Sequence, residues 1–547
     1  MTSPLISKLR SLLDKASSFE PKRYALTAAF ALYIILLSAV SFFHEPWFDE
    51  AEAWQISKCS SLYDLFFTVP HSEGHPPLWY LLLAPFSKTG MPYEFSLSLV
   101  NIIFISAAVW VLMFKTKLPG LMRMLTPFTY FFFYQYGVVS RPYSVMTLAL
   151  MLCSVFYRNK TQKPVRMVLA LALLCLSSAY GLAMAAGICV VWLIEEWNGK
   201  NFLAFVKDFV KTKVFFSLLG LLVFAVLILL EVFPDKNATA VSGMTNIKGT
   251  FQNLAYTLLI LPFDATVGSV LTTDKLFFNT GFLAYTPLSA IVVTILILFG
   301  KKHRQRRLLF IPLVFMPILF AAIIFYAHYV GIITVFLIFW LNICFDTEEP
   351  PTSLGKYDGV LHYIFAAAGC IFILIQIMWT FLSAVAEINH NYSPGREMAA
   401  YIKENDLENA DIMCSWTNYE SEDGIRYNFN FSAEATVILP YFDRNIFSNF
   451  NEGRDDKAYS DHKYYADAEE YDNALKYVQS LSAPEYIFGT LPPRHDDSLD
   501  FIFGSYYYPA ADMEHSMIFK GNYIVGHTVV YKFKDIKGKG EEHEGTD

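Results

Sequence analysis

Three carboxylates within four residues are the first feature of this sequence that could perform chemistry. Asp49, Glu50 and Glu52 lie in the segment PWFDEAEAW, a few residues after a membrane-length apolar run. Low-dielectric surroundings disfavour a charged carboxylate, so acids clustered at the depth of lipid head groups indicate a task. A carboxylate held there can act as a base toward a hydroxyl group. The alternative is that these acids open an amphipathic helix, whose dipole favours negative charge in its first turn.

Two further motifs could complete such a site. GHPPLWY places His75 before two prolines, which stiffen the chain at the start of an interfacial helix. SRPYS places Arg141 and Tyr143 between two apolar runs, at a boundary where a cation usually pairs with a carboxylate or an anionic group. The alternatives are a helix cap for His75 and lipid snorkelling for Arg141. His328, in FYAHYVG, lies at another turn on the same predicted side.

These residue types predict group transfer from a lipid phosphate. An acid that deprotonates a hydroxyl and a cation that holds a departing phosphate are the minimum that this chemistry needs. A phosphodiester leaving group needs little protonation, so one base and fixed positive charge suffice. The aromatic residues of FTYFFFYQY could stack on sugar faces, or they could form an interfacial belt or core packing. We therefore expect the side chains of Asp49 and Arg141 to lie close together.

Membrane-spanning helices must position these residues. The 547 residues are 54% hydrophobic and 17% charged, with a mean hydropathy of +0.35, which is too apolar for an ordinary soluble protein. The net charge of -8 lacks the basic footprint of a nucleic-acid-binding protein, so no nucleic-acid partner is expected. The seven cysteines form no CxxC pair and lie mostly in apolar runs, where Cys behaves as a small hydrophobe.

The apolar runs predict a polytopic α-helical membrane protein with about eleven transmembrane helices, within a range of roughly ten to thirteen. Residues 1–23 form a basic segment that we expect in the cytoplasm, followed by an uncleaved anchor. The membrane domain is 24–385, with long outer loops at 44–93 and 234–279. An apolar piece in the second loop is interpreted as re-entrant or interfacial. The predicted spans are about 24–43, 95–114, 121–139, 143–157, two within 167–197, 214–233, 281–300, two within 308–345, and 360–385.

From residue 386 to 547 the composition becomes that of a soluble domain. Alternating patterns predict an extracytoplasmic α/β domain with DIMCSW and ATVILPYF as buried strands, and with a disordered tail. The domain contains no Walker, GxGxxG or paired Cys motif. We expect it to cover or recognise something at the outer face.

The order of these motifs resembles that of a known family. A first span, then FDEA, HPPLWY and RPY at the start of a later span, and an outer α/β tail, is similar to the polyprenyl-phosphate-sugar-dependent GT-C glycosyltransferases. The nearest likeness is the bacterial branch that includes protein O-mannosyltransferases and lipid A aminoarabinose transferases. It covers about 24–385 and implies an inner-membrane enzyme that moves a hexose or pentose, with inversion, from a polyprenyl phosphate to a glycan, glycolipid or protein acceptor at the outer face.

The resemblance also implies roles for individual residues. Asp49 would be the base or acceptor-orienting acid, with Glu50 beside it, and Arg141 would bind the carrier phosphate. This chain departs from the family near His328, where relatives often carry Arg followed by Tyr. Some relatives bind a metal here; no ligand spacing in this sequence requires one, so a divalent metal stays open and no cofactor is certain. The residues expected to bind substrate are His75, Arg141, Tyr143, Glu52 and His328.

Two other classes of protein compete with an enzyme. A transporter or flippase of lipid-linked sugars would explain the many spans. It predicts related halves and charged or broken helices near the bilayer midplane, whereas the sequence shows no related halves and places its notable charges at the outer boundary. A receptor-like scaffold that binds through its C-terminal domain would leave the positions of Asp49 and Arg141 unexplained.

Overall fold

The computed structural model describes residues 4–238, 251, 254–256, 259–266, 281–322, 329–348, 350–421, 424–489, 506–519 and 522–534. The predictions for His328, for most of the loop 234–279 and for the tail after residue 534 concern residues outside these ranges.

The described chain is mainly helical, with strands near its C-terminus. The helices are α1 (Pro4–Ser18), α2 (Arg23–Phe43), α3 (Phe48–Cys59), α4 (Leu62–Phe67), α5 (Val69–Glu73), α6 (Leu78–Ser87), α7 (Tyr93–Lys115), α8 (Gly120–Leu125), α9 (Tyr143–Phe156), α10 (Pro164–Ser177), α11 (Ala179–Trp197), α12 (Phe202–Phe209), α13 (Lys213–Glu231), α14 (Leu261–Asp264), α15 (Gly281–Lys302), α16 (Arg306–Ala322), α17 (Val330–Phe345), α18 (Asp358–Asn389), α19 (Gly395–Glu404), α20 (Ala433–Ile438) and α21 (Ala468–Ser480). The strands are β1 (Ile412–Cys414), β2 (Thr417–Ser421), β3 (Gly424–Asn428), β4 (Tyr486–Gly489), β5 (Tyr506–Phe519) and β6 (Asn522–Lys534).

Six of the described helices are long and apolar enough to cross a membrane, namely α2, α7, α11, α13, α15 and α18. Their outer surfaces carry large exposed apolar side chains such as Leu222, Leu374 and Phe381, which would be costly in water. These helices and surfaces define an integral membrane protein. The predicted number of spans stays a prediction, because several apolar helices are shorter than a bilayer core requires.

The helix ends form two faces. On one, which we call the basic face, Arg158 pairs with Asp346 at 3.3 Å and Lys302 pairs with Asp358 at 2.8 Å. The opposite face, which we call the site face, is where α2 ends and α3 begins. Contacts between α3 and the segment after α18 place the C-terminal residues on the site face. The assignment of the basic face to the cytoplasm stays a prediction.

The predicted span 121–139 is not one regular helix. It consists of α8, a 3₁₀ turn at Thr126–Phe128 and a π-helix at Phe131–Val138, in which Val139 N–H reaches back to Tyr134 at 3.2 Å. Pro127 interrupts the α pattern because it has no N–H to donate. The aromatic residues of this stretch are buried, and Tyr130 stacks on Trp379 with 3.5 Å between ring centroids. They therefore serve core packing rather than an interfacial belt.

The two long apolar runs do fold as helix pairs, as the sequence predicted. Run 167–197 divides into α10 and α11 at Ser178, whose side chain caps α11 by accepting the N–H of Gly181 at 3.0 Å. Run 308–345 divides into α16 and α17.

The part of the described chain that follows Asn389, which we call the C-terminal segment, contains a four-stranded sheet in the order β1-β4-β6-β5 and a separate β2-β3 hairpin. β1 pairs with β4 in parallel, and the other neighbours are antiparallel. DIMCSW contains a strand, as predicted, but the prediction of a strand at ATVILPYF is wrong. This stretch forms α20 because Ser432 caps its first turn by accepting the Ala435 N–H at 3.3 Å.

Candidate active site

The acids of PWFDEAEAW begin helix α3, directly after the chain leaves the membrane span α2. Glu50 sits in the first turn and accepts the N–H of Trp47 at 3.2 Å, which satisfies one of the free donors at the start of the helix. Helical spacing turns Asp49 and Glu50 in different directions. The Asp49 side chain is 22% exposed, whereas Glu50 is fully buried.

Asp49 forms an ion pair with Arg141. Arg141 lies in the turn between the π-helix and α9, and its Nη1 is 2.8 Å from Asp49 Oδ2. The Arg141 side chain is 11% exposed, and its Nε has no hydrogen-bond partner among the described residues. The prediction that these two side chains lie close together is confirmed. Tyr143 starts α9 and interacts with Arg141.

Glu50 belongs to a buried charged network that the sequence did not predict. His44 Nε2 lies 2.9 Å from Glu50 Oε2, and His44 Nδ1 lies 2.8 Å from Glu387 Oε1. Tyr134 donates a hydrogen bond to the same Glu387 carboxylate. Burial alone would lower the pKa of His44. The carboxylates of Glu50 and Glu387 have the larger effect and raise this pKa to about 10, so the imidazole is protonated at neutral pH.

The same Glu50 carboxylate reaches the turn that carries Arg141. Glu50 Oε1 accepts the backbone N–H of Ser140 at 2.5 Å. Ser140 immediately precedes Arg141, and Glu50 immediately follows Asp49. One buried carboxylate therefore fixes the backbone next to both Asp49 and Arg141.

A second cluster lies one helical turn further along α3. Glu52 pairs with His462 of the C-terminal segment at 2.9 Å, and Glu73, at the end of α5, lies beside them. One ligand atom from each of these three residues lies within 4.8 Å of the other two. Glu52 is 4% exposed, and its Oε1 has no hydrogen-bond partner in the described part of the chain. Two carboxylates and an imidazole form a donor set that suits a divalent ion such as Zn²⁺.

The charges of this cluster perturb one another. Burial raises the pKa of Glu73 to about 8 and also raises that of Glu52. Burial alone would lower the pKa of His462, but Glu52 and Glu73 raise it to about 10. A site that concentrates buried acids around one cation is the kind that proteins build for function.

His75 faces the same region. Gly74, with a φ of +65°, ends α5 and turns the chain into the two prolines before α6. Pro77 stands at the N-cap of α6 and no side chain caps that helix, so the helix-cap interpretation of His75 is wrong. Burial, with Arg141 and His462 nearby, holds the pKa of His75 down to about 3, so the ring is neutral. Its Nδ1 has no hydrogen-bond partner within the described ranges.

The C-terminal segment covers α3 on its outer side. Gln55 donates to the carbonyl of Ala458 at 3.1 Å, and Lys58 donates to that of Phe442 at 2.9 Å. The ring of Phe48 lies 5.4 Å from that of Phe431. The site is thus enclosed between the membrane helices and the C-terminal segment.

The sequence missed His44, Glu73, Glu387 and His462. Glu387 could have been noticed, since it is an acid in the last turns of an apolar helix. His462 lies among many polar residues of a soluble segment, and its partner Glu52 is 410 positions away, so no local signal connects them.

Comparisons with known proteins add little to this description. No family model and no curated protein matches the sequence. Among solved structures, the arabinofuranosyltransferase AftD from Mycobacteria matches with a TM-score of 0.38 and 11% sequence identity. The alignment covers 95% of this chain and 40% of that one, so this chain spans less than half of the length of AftD. A likeness at this level does not establish a shared fold or activity.

Proposed function

We propose that this protein is an integral-membrane glycosyltransferase of the GT-C type. It moves a sugar from a polyprenyl-phosphate carrier to an acceptor hydroxyl at the site face. The observation that carries this proposal is the Asp49–Arg141 ion pair, which is partly exposed at the end of a membrane span. It combines a carboxylate that can take a proton with a guanidinium that can hold a phosphate.

In the proposed reaction, the acceptor hydroxyl gives its proton to the Asp49 carboxylate. The acceptor oxygen attacks the anomeric carbon from the side opposite the phosphate, and the configuration inverts. The bond between that carbon and the phosphate oxygen breaks, and the bonding electrons leave with the polyprenyl phosphate. Arg141 stabilises the growing negative charge through its guanidinium. The neutral His75 and the ring of Tyr143 would contact the sugar.

In this proposal Glu50 positions the reacting pair. Its two oxygens are occupied by His44 and by the backbone of Trp47 and Ser140. It is fully buried, so it would act on the substrate only through its neighbours, Asp49 and the turn of Arg141. The positive charge of His44 offsets the cost of burying this carboxylate.

The cluster of Glu52, Glu73 and His462 would hold a divalent ion. The donor set fits, and the unpartnered buried Oε1 of Glu52 is a free ligand atom among the described residues. When bound, such an ion would supply positive charge beside the phosphate of the donor. The role of these three residues would then be to hold it and to join the C-terminal segment to α3.

Reconstitution of the full-length protein with a polyprenyl-phosphate sugar tests the proposal. Covalent transfer of labelled sugar to an acceptor, lost in Asp49→Asn and kept in Asp443→Asn, is the expected result. Asp443 is an exposed acid of the C-terminal segment and serves as the control. Movement of unaltered lipid-linked sugar across the bilayer without transfer would instead identify a flippase.

A further inference from the structure

Helices α1 and α12, at the basic face, carry apolar side chains that are exposed in the described part of the chain. In α1, Leu5, Leu9 and Leu12 repeat at intervals of four and three residues, so they form one stripe along the helix. All three are more than half exposed. The opposite edge of α1 is held by α18, where Asp14 accepts a hydrogen bond from Tyr363 at 3.3 Å.

Helix α12 shows the same division. It connects the spans α11 and α13 and ends, with them, at the basic face, where Glu195 of α11 pairs with Lys160 at 2.7 Å. Phe202 and Leu203 are 65% and 78% exposed, and no side chain in the helix is fully buried. Helical spacing places Asp208 away from these apolar residues.

Basic residues border both apolar stripes. The acids within the same stretches, residues 4–18 and 200–213, are Asp14 and Asp208. The excess of positive charge therefore lies beside exposed apolar surface, at the depth where the membrane spans end. The basic residues of the two stretches are Lys8, Arg10, Lys15, Lys200, Lys207, Lys211 and Lys213.

We propose that α1 and α12 lie in the head-group layer of the bilayer at the basic face and bind anionic phospholipids there. The apolar stripes enter the acyl boundary, and the flanking lysines contact phosphate groups. Arg10 faces α18 instead, with its guanidinium 5.3 Å from the centre of the Tyr363 ring. Two observations select lipid as the occupant. Both helices are continuous with membrane spans, so the bilayer surface passes beside them, and their charge is complementary to an anionic surface. This binding is independent of the reaction proposed above.

The test uses the full-length protein in nanodiscs that contain phosphatidylcholine and phosphatidylglycerol. A genetically encoded fluorescent amino acid replaces Leu9 or Leu203, and matched controls carry it at Ser11 or Asp208 on the other side of the same helix. The quencher is a doxyl group near the head of the lipid chain, carried in separate samples by phosphatidylcholine or by phosphatidylglycerol. We expect several-fold stronger quenching of the fluorophore at positions 9 and 203 than at positions 11 and 208. At positions 9 and 203, quenching should be stronger when phosphatidylglycerol carries the doxyl group than when phosphatidylcholine does.

A double variant tests the electrostatic part. Each lysine near an anionic surface raises partitioning to that surface by about fivefold. In the double variant Lys207→Gln with Lys211→Gln, doxyl-labelled phosphatidylglycerol and doxyl-labelled phosphatidylcholine should therefore quench a fluorophore at position 203 more nearly equally. Equal quenching at 203 and 208 in the unsubstituted background would overturn the placement of α12, and the same result at 9 and 11 would overturn that of α1. Equal quenching by both labelled lipids at 203 before substitution would overturn the preference for anionic lipid. Energy transfer between copies, with no lipid quenching, would identify a second copy of the chain as the occupant and reject the proposal.

Discussion

Asp49 and Glu50 are neighbours in one helical turn, yet they belong to two very different charged groups. Glu50 is fully buried, and both of its oxygens are engaged by His44 and by backbone N–H groups. Asp49 is 22% exposed and pairs with an arginine whose Nε has no partner in the described structure. A fully buried carboxylate whose two oxygens are both engaged therefore holds the structure, whereas a partly exposed carboxylate paired with a cation is available for chemistry.

Removal of the partly exposed carboxylate should have the largest effect on activity. We expect Asp49→Asn to lower kcat by roughly 10²- to 10³-fold, because a positioned base is lost. The melting temperature should fall less than that of Glu50→Gln, because Asp49 is 22% exposed whereas Glu50 is fully buried. Sugar transfer by the purified variant and its thermal unfolding curve measure both quantities. Near-normal turnover would remove Asp49 from the role of base.

Arg141→Ala should have the next largest effect. Loss of a charge that holds the leaving phosphate is expected to lower kcat/KM for the lipid donor by roughly 10²-fold. A titration of the carrier lipid at fixed acceptor measures this effect. Arg454→Ala, at an exposed arginine of the C-terminal segment, is the control and should behave as the unaltered protein. Unchanged donor dependence in Arg141→Ala would show that the guanidinium serves only the membrane boundary.

Glu50→Gln should affect stability first. Removing one carboxylate from the buried network is expected to cost about 3 kcal/mol of unfolding free energy. His44 has a pKa raised to about 10 from an ordinary 6.5, so its stabilisation is complete below about pH 6.5 and is lost as the pH rises through 10. The melting temperature of the unaltered protein should therefore fall over this interval.

The pH dependence provides the check on the Glu50→Gln result. In Glu50→Gln the melting temperature should fall less steeply as the pH rises, because one of the two carboxylates that favour the imidazolium is gone. An identical slope in both proteins would contradict the assignment of the charge to His44.

Chelation probes the second cluster. If Glu52, Glu73 and His462 hold a divalent ion, metal removal should reduce transfer by roughly tenfold or more, and metal addition should restore it. Elemental analysis of the purified protein should show bound metal that is lost in Glu73→Gln and retained in Glu404→Gln, an exposed control. Transfer that withstands chelation, in protein without bound metal, would remove the ion from the proposal.

His75→Asn should have the smallest effect. A single hydrogen bond from a neutral ring is worth about 1 kcal/mol, so we expect about a fivefold rise in the KM for the sugar donor and little change in kcat. Steady-state kinetics at varied donor concentration separate the two constants. A large loss of kcat with an unchanged KM would give His75 a different role from the one proposed.

The sequence predicted the parts of the site that local patterns can report. Asp49 and Arg141 each stand at the end of an apolar run, and a helical membrane architecture brings such ends together at one face. The helix pairs within the long apolar runs were likewise predictable from length and charge. The exact position of the break between α10 and α11 was not predictable, because a side-chain cap at Ser178 decides it.

The remaining features depend on contacts between distant segments. His44 and Glu387 are 343 positions apart, so no local pattern in the sequence connects them. ATVILPYF has the composition of a strand, but its cap at Ser432 and its burial favour a helix. The π-helix also escaped prediction, because its wider hydrogen-bond spacing leaves no simple signature in the order of apolar residues.

That π-helix sets the rotational phase of everything that follows it. If the same eight residues, Phe131–Val138, wound as an ordinary α-helix, each would advance the chain by about 100°, which is more than in the wider turns of a π-helix. Ser140 and the guanidinium beyond it would swing away from α3. Regular α winding would thereby separate Asp49 from Arg141, two side chains that the π-helix leaves 2.8 Å apart.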